Sequence, residues 1–182
     1  MKTLTKTIFF SLLISIFSIV SIISFSCKPD KCKTTNCANG GTCNDGNCIC
    51  MTGYSGTSCE ITNRDKFLGQ WTVNETGTTT GAFEYALNIQ KDTLVDHVVL
   101  IGLYNYFHLL RAYVVGDTLV IPNQQIQGKV VFGKGYIFST DAYPNDGVIQ
   151  MQYEVVDTAT QLVNDFGYNY LVDHSKPSIW NR

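Results

Sequence analysis

Residues Cys32 to Cys59 read CKTTNCANGGTCNDGNCICMTGYSGTSC, which places six cysteines within 28 residues. The other apolar side chains in this stretch are only Ala38, Ile49, Met51 and Tyr54. So few apolar groups cannot form a hydrophobic core, and short segments of this kind are held together by cross-links. A zinc site is one alternative, but the stretch contains no histidine and an even number of cysteines suits disulfides. Six cysteines can pair in many ways, and spacing alone does not choose among them.

The spacing C-x4-C-x5-C-x4-C-x-C-x8-C resembles that of an epidermal growth factor (EGF)-like module. Two signatures near its end fit the same family: Tyr54 follows Gly53, and Gly56 stands three residues before the last cysteine. The resemblance implies an outward-facing protein in an oxidising compartment. It also implies three disulfides, Cys32–Cys43, Cys37–Cys48 and Cys50–Cys59, each closing a short loop that stabilises the module by roughly 3 kcal/mol.

The N-terminal segment 1–26 has the composition of an export signal. Lys2 and Lys6 precede an apolar run, Ile8 to Phe25, that only serines interrupt. Cys27 follows directly after Ser26, and this placement resembles a bacterial lipoprotein, in which the signal is cut before a lipidated cysteine. The resemblance implies a lipid on Cys27, a short tether over 27–31, and an outer-membrane or cell-surface location. An uncleaved N-terminal anchor and an unpaired thiol are the alternatives.

The remaining chain is mildly acidic. Of the 13 lysines and arginines two belong to the signal, which leaves 11 basic against 15 acidic side chains, a formal charge of −4. Such a balance argues against binding to nucleic acid. With the EGF-like module assigned to 32–60, residues 61–182 suffice for one further domain with its own core.

Residues 61–182 alternate apolar and polar side chains with a period of two, which is typical of strands with one buried face. The clearest apolar faces are Phe83, Tyr85, Leu87 and Ile89; Ile149, Met151, Tyr153 and Val155; and Phe166, Tyr168, Tyr170 and Val172. Turns are predicted at Lys91–Thr93, Gly116–Asp117 and Asn145–Gly147.

This pattern predicts an all-β, antiparallel domain of about eight strands, and a barrel is favoured over a sandwich because closure removes exposed strand edges. The predicted strands are Gln70–Asn74, Ala82–Gln90, Val95–Leu103, Leu109–Val115, Thr118–Ile121, Lys129–Ser139, Val148–Val156 and Phe166–Val172.

Two short motifs add a second resemblance. The stretch FLGQWTV at 67–73 carries a Gly-x-Trp similar to the opening of lipocalin-like barrels, and GDTLVIPNQ at 116–124 is similar to a motif of Bacteroidota lipoproteins. The resemblance implies a lipocalin-like barrel, which holds either its own side chains or one small ligand. Eight aromatic residues could fill the core or line such a site: Tyr104, Tyr106, Phe107, Tyr113, Phe132, Tyr136, Phe138 and Tyr143.

Catalytic and cofactor patterns are absent from the sequence. His97, His108 and His174 lack metal-ligand spacing, and adjacent side chains such as Asp96 and His97 point to opposite faces of a strand. No serine lies in a nucleophile elbow and no phosphate-binding loop is present. We therefore predict no enzyme, cofactor or metal; a hydrolase combining His97 or His108 with Asp141 is the alternative.

Two further patterns occur at predicted turns. Residues 141–147, DAYPNDG, offer oxygen ligands that calcium could use, but ordinary turn chemistry explains them better. Thr93, Thr118 and Thr158 each follow an aspartate and precede an apolar residue, a form that resembles the O-glycosylation acceptor of Bacteroidota. The alternative is that Asp-Thr simply suits tight turns.

The sequence thus predicts a lipid-anchored envelope protein that binds an unidentified protein or glycan partner. A lipocalin-like carrier of a small apolar or glycan ligand is the second hypothesis. A lipid tether followed by a disulfide-bonded spacer would present the β domain away from the membrane.

Overall fold

The computed structural model describes residues 30–140, 143–169, 171 and 175–182, with the backbone alone for 139, 140 and 143–146. Cys27, Asp141, Tyr170, Val172 and His174 lie outside the described residues, and so do the side chains of the predicted calcium loop up to Asp146. Within the described ranges no helix is long and apolar enough to cross a membrane.

Regular structure consists of thirteen described strands and two short 3-10 helices, Lys31–Lys33 and Asn63–Lys66. The strands are β1 Thr42–Asn44, β2 Asn47–Ile49, β3 Tyr54–Ser55, β4 Ile61–Thr62, β5 Gly69–Gly77, β6 Gly81–Lys91, β7 His97–Ile101, β8 Leu110–Val115, β9 Thr118–Ile126, β10 Lys129–Thr140, β11 Tyr143–Asp157, β12 Val163–Phe166 and β13 Ser178–Asn181.

The EGF-like region is built from two small hairpins, β1–β2 and β3–β4. Three disulfides join Cys32 to Cys43, Cys37 to Cys48 and Cys50 to Cys59, which is the pairing that the EGF-like resemblance implies. The second hairpin continues through Thr62, two residues past the predicted boundary at residue 60.

The rest of the chain is a closed antiparallel barrel of eight strands. Neighbouring strands follow the order β10, β9, β8, β7, β6, β5, β13, β11, and β11 pairs again with β10 to close the ring. Strand β12 pairs with the C-terminal part of β11, beyond the stretch that pairs with β13. The barrel predicted from the alternation is confirmed over a sandwich, because the eight described strands close into one ring and not into two open sheets.

The barrel interior is filled by the inward-facing side chains of its strands. On β11 all four predicted core residues, Ile149, Met151, Tyr153 and Val155, are buried. The largest fully buried side chains of the core are Trp71, Trp180, Tyr153, Phe67, Phe107 and Phe166. Bulky groups of this kind occupy much of the space that an eight-stranded barrel encloses.

The prediction for the last strand was wrong. The alternation at Phe166, Tyr168 and beyond suggested a strand to Val172, but β12 ends at Phe166 and Tyr168 lies in a turn. The eighth barrel strand is instead β13, in which Ser178 and Trp180 point inward. Four residues after a proline give too short an alternation to recognise. The turn expected at 145–147 is also wrong, because β11 already begins at Tyr143.

Two glycines on β10 determine which aromatic residues face the core. An added Cβ at Gly133 would lie 2.3 Å from the Cβ of Tyr153, and one at Gly135 would lie 2.6 Å from the sulfur of Met151. At these two positions the inner face of β10 is therefore glycine, between the buried Val131 and the partly buried Ile137, and the neighbouring aromatic residues point outward. Tyr136 and Phe138 are 50% and 42% exposed, which corrects the expectation that they fill the core.

Because the strands run up and down, alternate turns share one end of the barrel. The β6–β7 and β8–β9 turns lie with the EGF-like module, and we call this the module end. The β5–β6 turn, the segment 102–109 and the β9–β10 turn lie at the opposite end, which we call the pocket end.

Candidate functional site

The module end is closed by packing. The Trp71 indole N–H donates to the carbonyl oxygen of Phe67 at 2.7 Å, and both residues are buried. The Arg182 guanidinium lies 4.6 Å from the centre of the Trp71 ring and donates to the carbonyl of Leu68 at 2.9 Å. Arg182 thus covers the start of the first barrel strand.

Arg64, two residues after the second hairpin of the EGF-like module, hydrogen-bonds to this end of the barrel. Arg64 donates from its Nη1 to the backbone carbonyls of Asp92, Leu94 and His97 in the β6–β7 turn, at 2.9 Å for Asp92 and 3.1 Å for His97. Its Nε is buried and is the one such side-chain atom without a hydrogen-bond partner among the described residues. Lys66 and Asp117 add an ion pair nearby. The module is therefore attached through backbone carbonyls that any sequence in the turn would offer.

The pocket end contains a cavity of about 330 Å³, which we call the rim pocket. Its lining side chains are Glu75, Thr80, Phe83, Tyr104, Asn105 and Tyr106. This volume is at the lower limit of ordinary small-molecule sites. A shallower groove of about 470 Å³ runs along the barrel wall beside it, shares Glu75 and Phe83, and is otherwise lined by Asn74, Thr76, Ala82, Glu84, Lys176 and Pro177. We call this second space the outer groove.

Glu75 forms the floor of the rim pocket and is only 6% exposed. Its Oε2 accepts hydrogen bonds from the Tyr153 hydroxyl at 2.8 Å and the Ser178 hydroxyl at 2.7 Å. Ser178 in turn accepts from the Trp180 indole N–H at 2.8 Å. Burial raises the pKa of the Glu75 carboxyl, and its hydroxyl partners, Tyr85 among them, oppose that rise.

Tyr85 links this floor to the pocket wall. Its hydroxyl accepts the backbone N–H of Tyr104 at 2.7 Å. Burial, and then the nearby Glu75 carboxyl, raise the pKa of Tyr85 far above its usual range, so the phenol stays neutral and can donate. The buried acid is therefore surrounded by neutral hydroxyl groups.

The wall is held in a fixed and unusual backbone conformation. Tyr104 and Asn105 have φ angles of +60° and +48°, a region that residues other than glycine rarely adopt. Tyr104 packs against Phe166, with ring centres 5.9 Å apart, and its hydroxyl accepts from Asn164 at 3.2 Å. Asn164 also donates to Thr80 at 2.9 Å, so one buried amide connects two walls of the pocket. Such strain at a cavity wall is typical of preorganised sites.

The two described histidines, His97 and His108, do not share a site. His97 begins β7 at the module end and His108 lies in the segment 102–109 at the pocket end, and His108 is exposed. The expectation that Asp96 and His97 point apart was wrong: Asp96 precedes the strand, and its Oδ1 lies 2.7 Å from the Nδ1 of His97. Among the described residues no three His, Cys, Asp or Glu side chains cluster in a way that could hold a metal ion.

The three Asp-Thr motifs differ in accessibility. Thr93 is exposed in the β6–β7 turn, whereas Thr118 and Thr158 are half-buried. The Thr158 hydroxyl donates to the carbonyl of Gly128 at 2.7 Å. Asp157 accepts from the N–H groups of Ala159 and Thr160, which is ordinary turn chemistry.

Comparisons with known proteins bear mainly on the disulfide-rich region that precedes the barrel. No family model matches the chain. A neurogenic locus notch homolog protein of Giardia intestinalis is 51% identical over 37 residues, which is 19% of this chain, and the chain spans 6% of that protein's length. This partial match and the three disulfides support an EGF-like module, which the barrel follows.

A crystal structure from Bacteroides ovatus, a structural-genomics target of unknown function, is similar over 62% of this chain and 40% of its own, with 12% identity and a TM-score of 0.38.

The rim pocket was not predicted from the sequence as a site. Tyr104 and Tyr106 were among the aromatics considered for a cavity, but Glu75, Thr80 and Asn105 carry no motif. Glu75 does occupy an inward position in the alternation of β5, and a charged residue among core positions is the one signal that could have drawn attention to it.

Proposed function

We propose that the protein is an exported, lipid-anchored binding protein whose pocket end receives the ligand or partner. The observation that carries the proposal is the placement of the rim pocket at the end of the barrel opposite the EGF-like module. A chain tethered through Cys27 and the module would hold this end furthest from the membrane.

The disulfide-rich module supports export, since such cross-links persist in oxidising compartments. The apolar run before Cys27 supports the lipid anchor. Strained, hydrogen-bonded pocket walls support binding, because a preformed site loses less conformational entropy when it takes up a ligand.

Two exposed tyrosines provide a matched test of the binding end. Tyr106 lines the rim pocket and is 43% exposed, whereas Tyr136 lies on the barrel wall and is 50% exposed. We expect a ligand found by thermal shift, from a panel of oligosaccharides and small organic compounds, to lose its stabilising effect in Tyr106→Ala and keep it in Tyr136→Ala. Equal binding by both variants would place the site elsewhere and contradict the proposal.

The anchor is tested separately by mass spectrometry of the membrane fraction. We expect an N-terminal peptide that begins at Cys27 and carries acyl mass, and a Cys27→Ala variant that leaves the membrane fraction. A mature chain that retains Met1 to Ser26 would show that the anchor hypothesis is wrong.

A carrier of one small ligand is the second candidate, and the volume of the rim pocket favours it. The filled barrel core restricts such a ligand to the rim. A carrier would release its ligand reversibly, with the same dependence on Tyr106, and would need no macromolecular partner.

A further inference from the structure

The rim pocket contains one acid and no base. Among its six lining side chains Glu75 is the only carboxylate, and lysine, arginine and histidine are absent. The remaining lining groups are three aromatic rings, a hydroxyl and an amide. An anionic ligand such as a fatty acid or a phosphate ester would therefore meet a buried carboxyl without a cation to neutralise it.

Glu75 also has no cationic partner elsewhere in the described structure. The hydrogen-bond donors to its carboxyl are neutral hydroxyls, at 2.8 Å from Tyr153 and 2.7 Å from Ser178. None of the ion pairs among the described residues includes it. The exposed Lys176 lies along the outer groove and makes no ion pair with it.

This solitary acid lies beside aromatic surface. Phe83 and Tyr106 are 47% and 43% exposed, and both line the pocket together with Tyr104. Aromatic faces attract organic cations through the negative potential above the ring. The Nζ of Lys129 lies 5.5 Å from the centre of the Tyr106 ring, but it is paired with the Asp157 carboxylate at 3.0 Å and is not among the residues that line the pocket.

We infer that the rim pocket binds a small organic cation, a primary amine or a quaternary ammonium compound, with its charge beside Glu75 and its carbon atoms against Phe83, Tyr104 and Tyr106. The inference rests on the proposed function in that it gives a ligand class to the binding end. Apolar side chains surround the charge, so part of its hydration is lost and the match of charge to carboxylate determines selectivity.

Choline and 3,3-dimethyl-1-butanol form a matched pair of probes, because the second replaces the quaternary nitrogen by carbon and keeps the shape. We expect purified full-length protein in detergent, titrated in a calorimeter at neutral pH, to bind choline roughly tenfold or more tightly than the neutral alcohol. Hexanoate should not bind.

Three variants determine where the selectivity originates. Glu75→Gln keeps a hydrogen-bond acceptor and should remove the preference for choline over the alcohol. Tyr106→Ala removes one of the exposed rings of the pocket and should weaken choline binding about fivefold to tenfold. Glu84→Gln changes an exposed acid of the outer groove and should leave both affinities unchanged.

The outcomes separate this inference from the proposed function. If the alcohol binds as tightly as choline and Tyr106→Ala weakens both, the pocket end is the binding end but the cation inference is wrong. A choline preference that survives in Glu75→Gln, or is lost equally in Glu84→Gln, also overturns the inference. If choline, propylamine and butylamine show no saturable binding at concentrations on the order of 10 mM, the inference is likewise overturned. The proposed function is then still decided by comparing Tyr106→Ala with Tyr136→Ala.

Discussion

The two ends of the barrel are completed in opposite ways. At the module end an indole, a guanidinium and backbone carbonyls fill the available space, and Trp71 is 1% exposed. At the pocket end a buried acid is surrounded by hydroxyl groups and a cavity of about 330 Å³ remains. One end therefore contributes stability through packing, and the other retains polar groups and space that packing alone would have eliminated. Ligand binding is therefore expected at the pocket end, where a cavity with polar groups remains.

The largest effect is expected from Trp71→Ala at the module end. The substitution removes a buried ring, its hydrogen bond to Phe67 and its contact with Arg182. We expect the free energy of unfolding to fall by about 3–5 kcal/mol in chemical denaturation. Tyr136→Ala, at an exposed position on the barrel wall, should change it by less than about 1 kcal/mol. Comparable losses in the two variants would contradict a packed module end.

The second effect concerns the EGF-like module alone. Replacing Cys50 and Cys59 by serine removes one cross-link from a segment without a hydrophobic core and should destabilise it by roughly 3 kcal/mol. The core cluster of the barrel contains no cysteine, so the barrel should stay folded. Limited proteolysis should cut the segment 32–62 while the near-ultraviolet circular dichroism of the barrel tryptophans is retained. Loss of both signals together would mean that the module and barrel fold as one unit.

The third effect tests the connection between the EGF-like module and the barrel. Arg64→Ala leaves backbone carbonyls of the β6–β7 turn without their donor and should cost about 1–3 kcal/mol. Lys31→Ala, which breaks the exposed pair with Asp45, should cost less than about 1 kcal/mol. Hydrogen exchange of the β6–β7 turn should accelerate in the first variant only, and protection unchanged in Arg64→Ala would mean that the arginine does not hold the turn.

A smaller effect, in the pH dependence of stability, is expected from Glu75→Gln at the pocket end. Burial raises the pKa of Glu75 above its ordinary value of 4.5. Its contribution to stability is therefore complete below that pH and is lost as the pH rises through the higher pKa of the folded protein. Measured against Glu75→Gln, the wild type should lose stability from about pH 4.5 upward.

Asp157 supplies the control of opposite sign. The N–H of Thr160, and next Lys129, hold the pKa of the Asp157 carboxyl well below its ordinary value of 3.8. Asp157→Asn should therefore remove stability that is present above about pH 3.8 and lost in more acidic solution. Denaturation curves measured across this pH range would contradict the raised pKa of Glu75 if Glu75→Gln and Asp157→Asn changed the pH dependence of stability in the same direction.

The smallest effect on stability is expected from the predicted glycosylation sites, which also differ between the ends. Thr93 lies exposed at the module end, while the Thr158 hydroxyl at the pocket end is engaged with Gly128. If the motif is used, Thr93 is the first site we expect to be modified. Intact mass of the exported protein should fall by a glycan mass in Thr93→Ala; a mass that falls only by the substitution itself would mean that the motif serves the turn.

The alternation of apolar residues was sufficient to predict much of the barrel. Inward positions on β11, and Tyr85 to Ile89 on β6, were identified correctly, because a period of two assigns side chains to faces without reference to any partner strand. Phe83 was expected on the same buried face and is 47% exposed, because it lies at the pocket end of β6 where the core stops. The hairpin at Gly116 and Asp117 was equally local, since a turn of two residues depends on its own backbone.

The closing strand and the outward aromatics could not be predicted in this way. Strand β13 is only four residues long, and its place between β5 and β11 depends on barrel closure. Tyr136 and Phe138 face outward because Gly133 and Gly135 leave room for side chains of β11, a contact between strands that neither sequence segment reveals.

The sequence by itself determined the all-β class and the stretch of cross-links, because each depends on local composition or spacing. The lipid attachment at Cys27 stays a prediction from the same kind of local signal. Only the tertiary structure decided that Glu75, Tyr85, Tyr153 and Ser178 meet beneath one cavity. They come from four strands that closure of the barrel brings together, and the pKa of a carboxyl depends on that burial and on those partners, which no single strand contains.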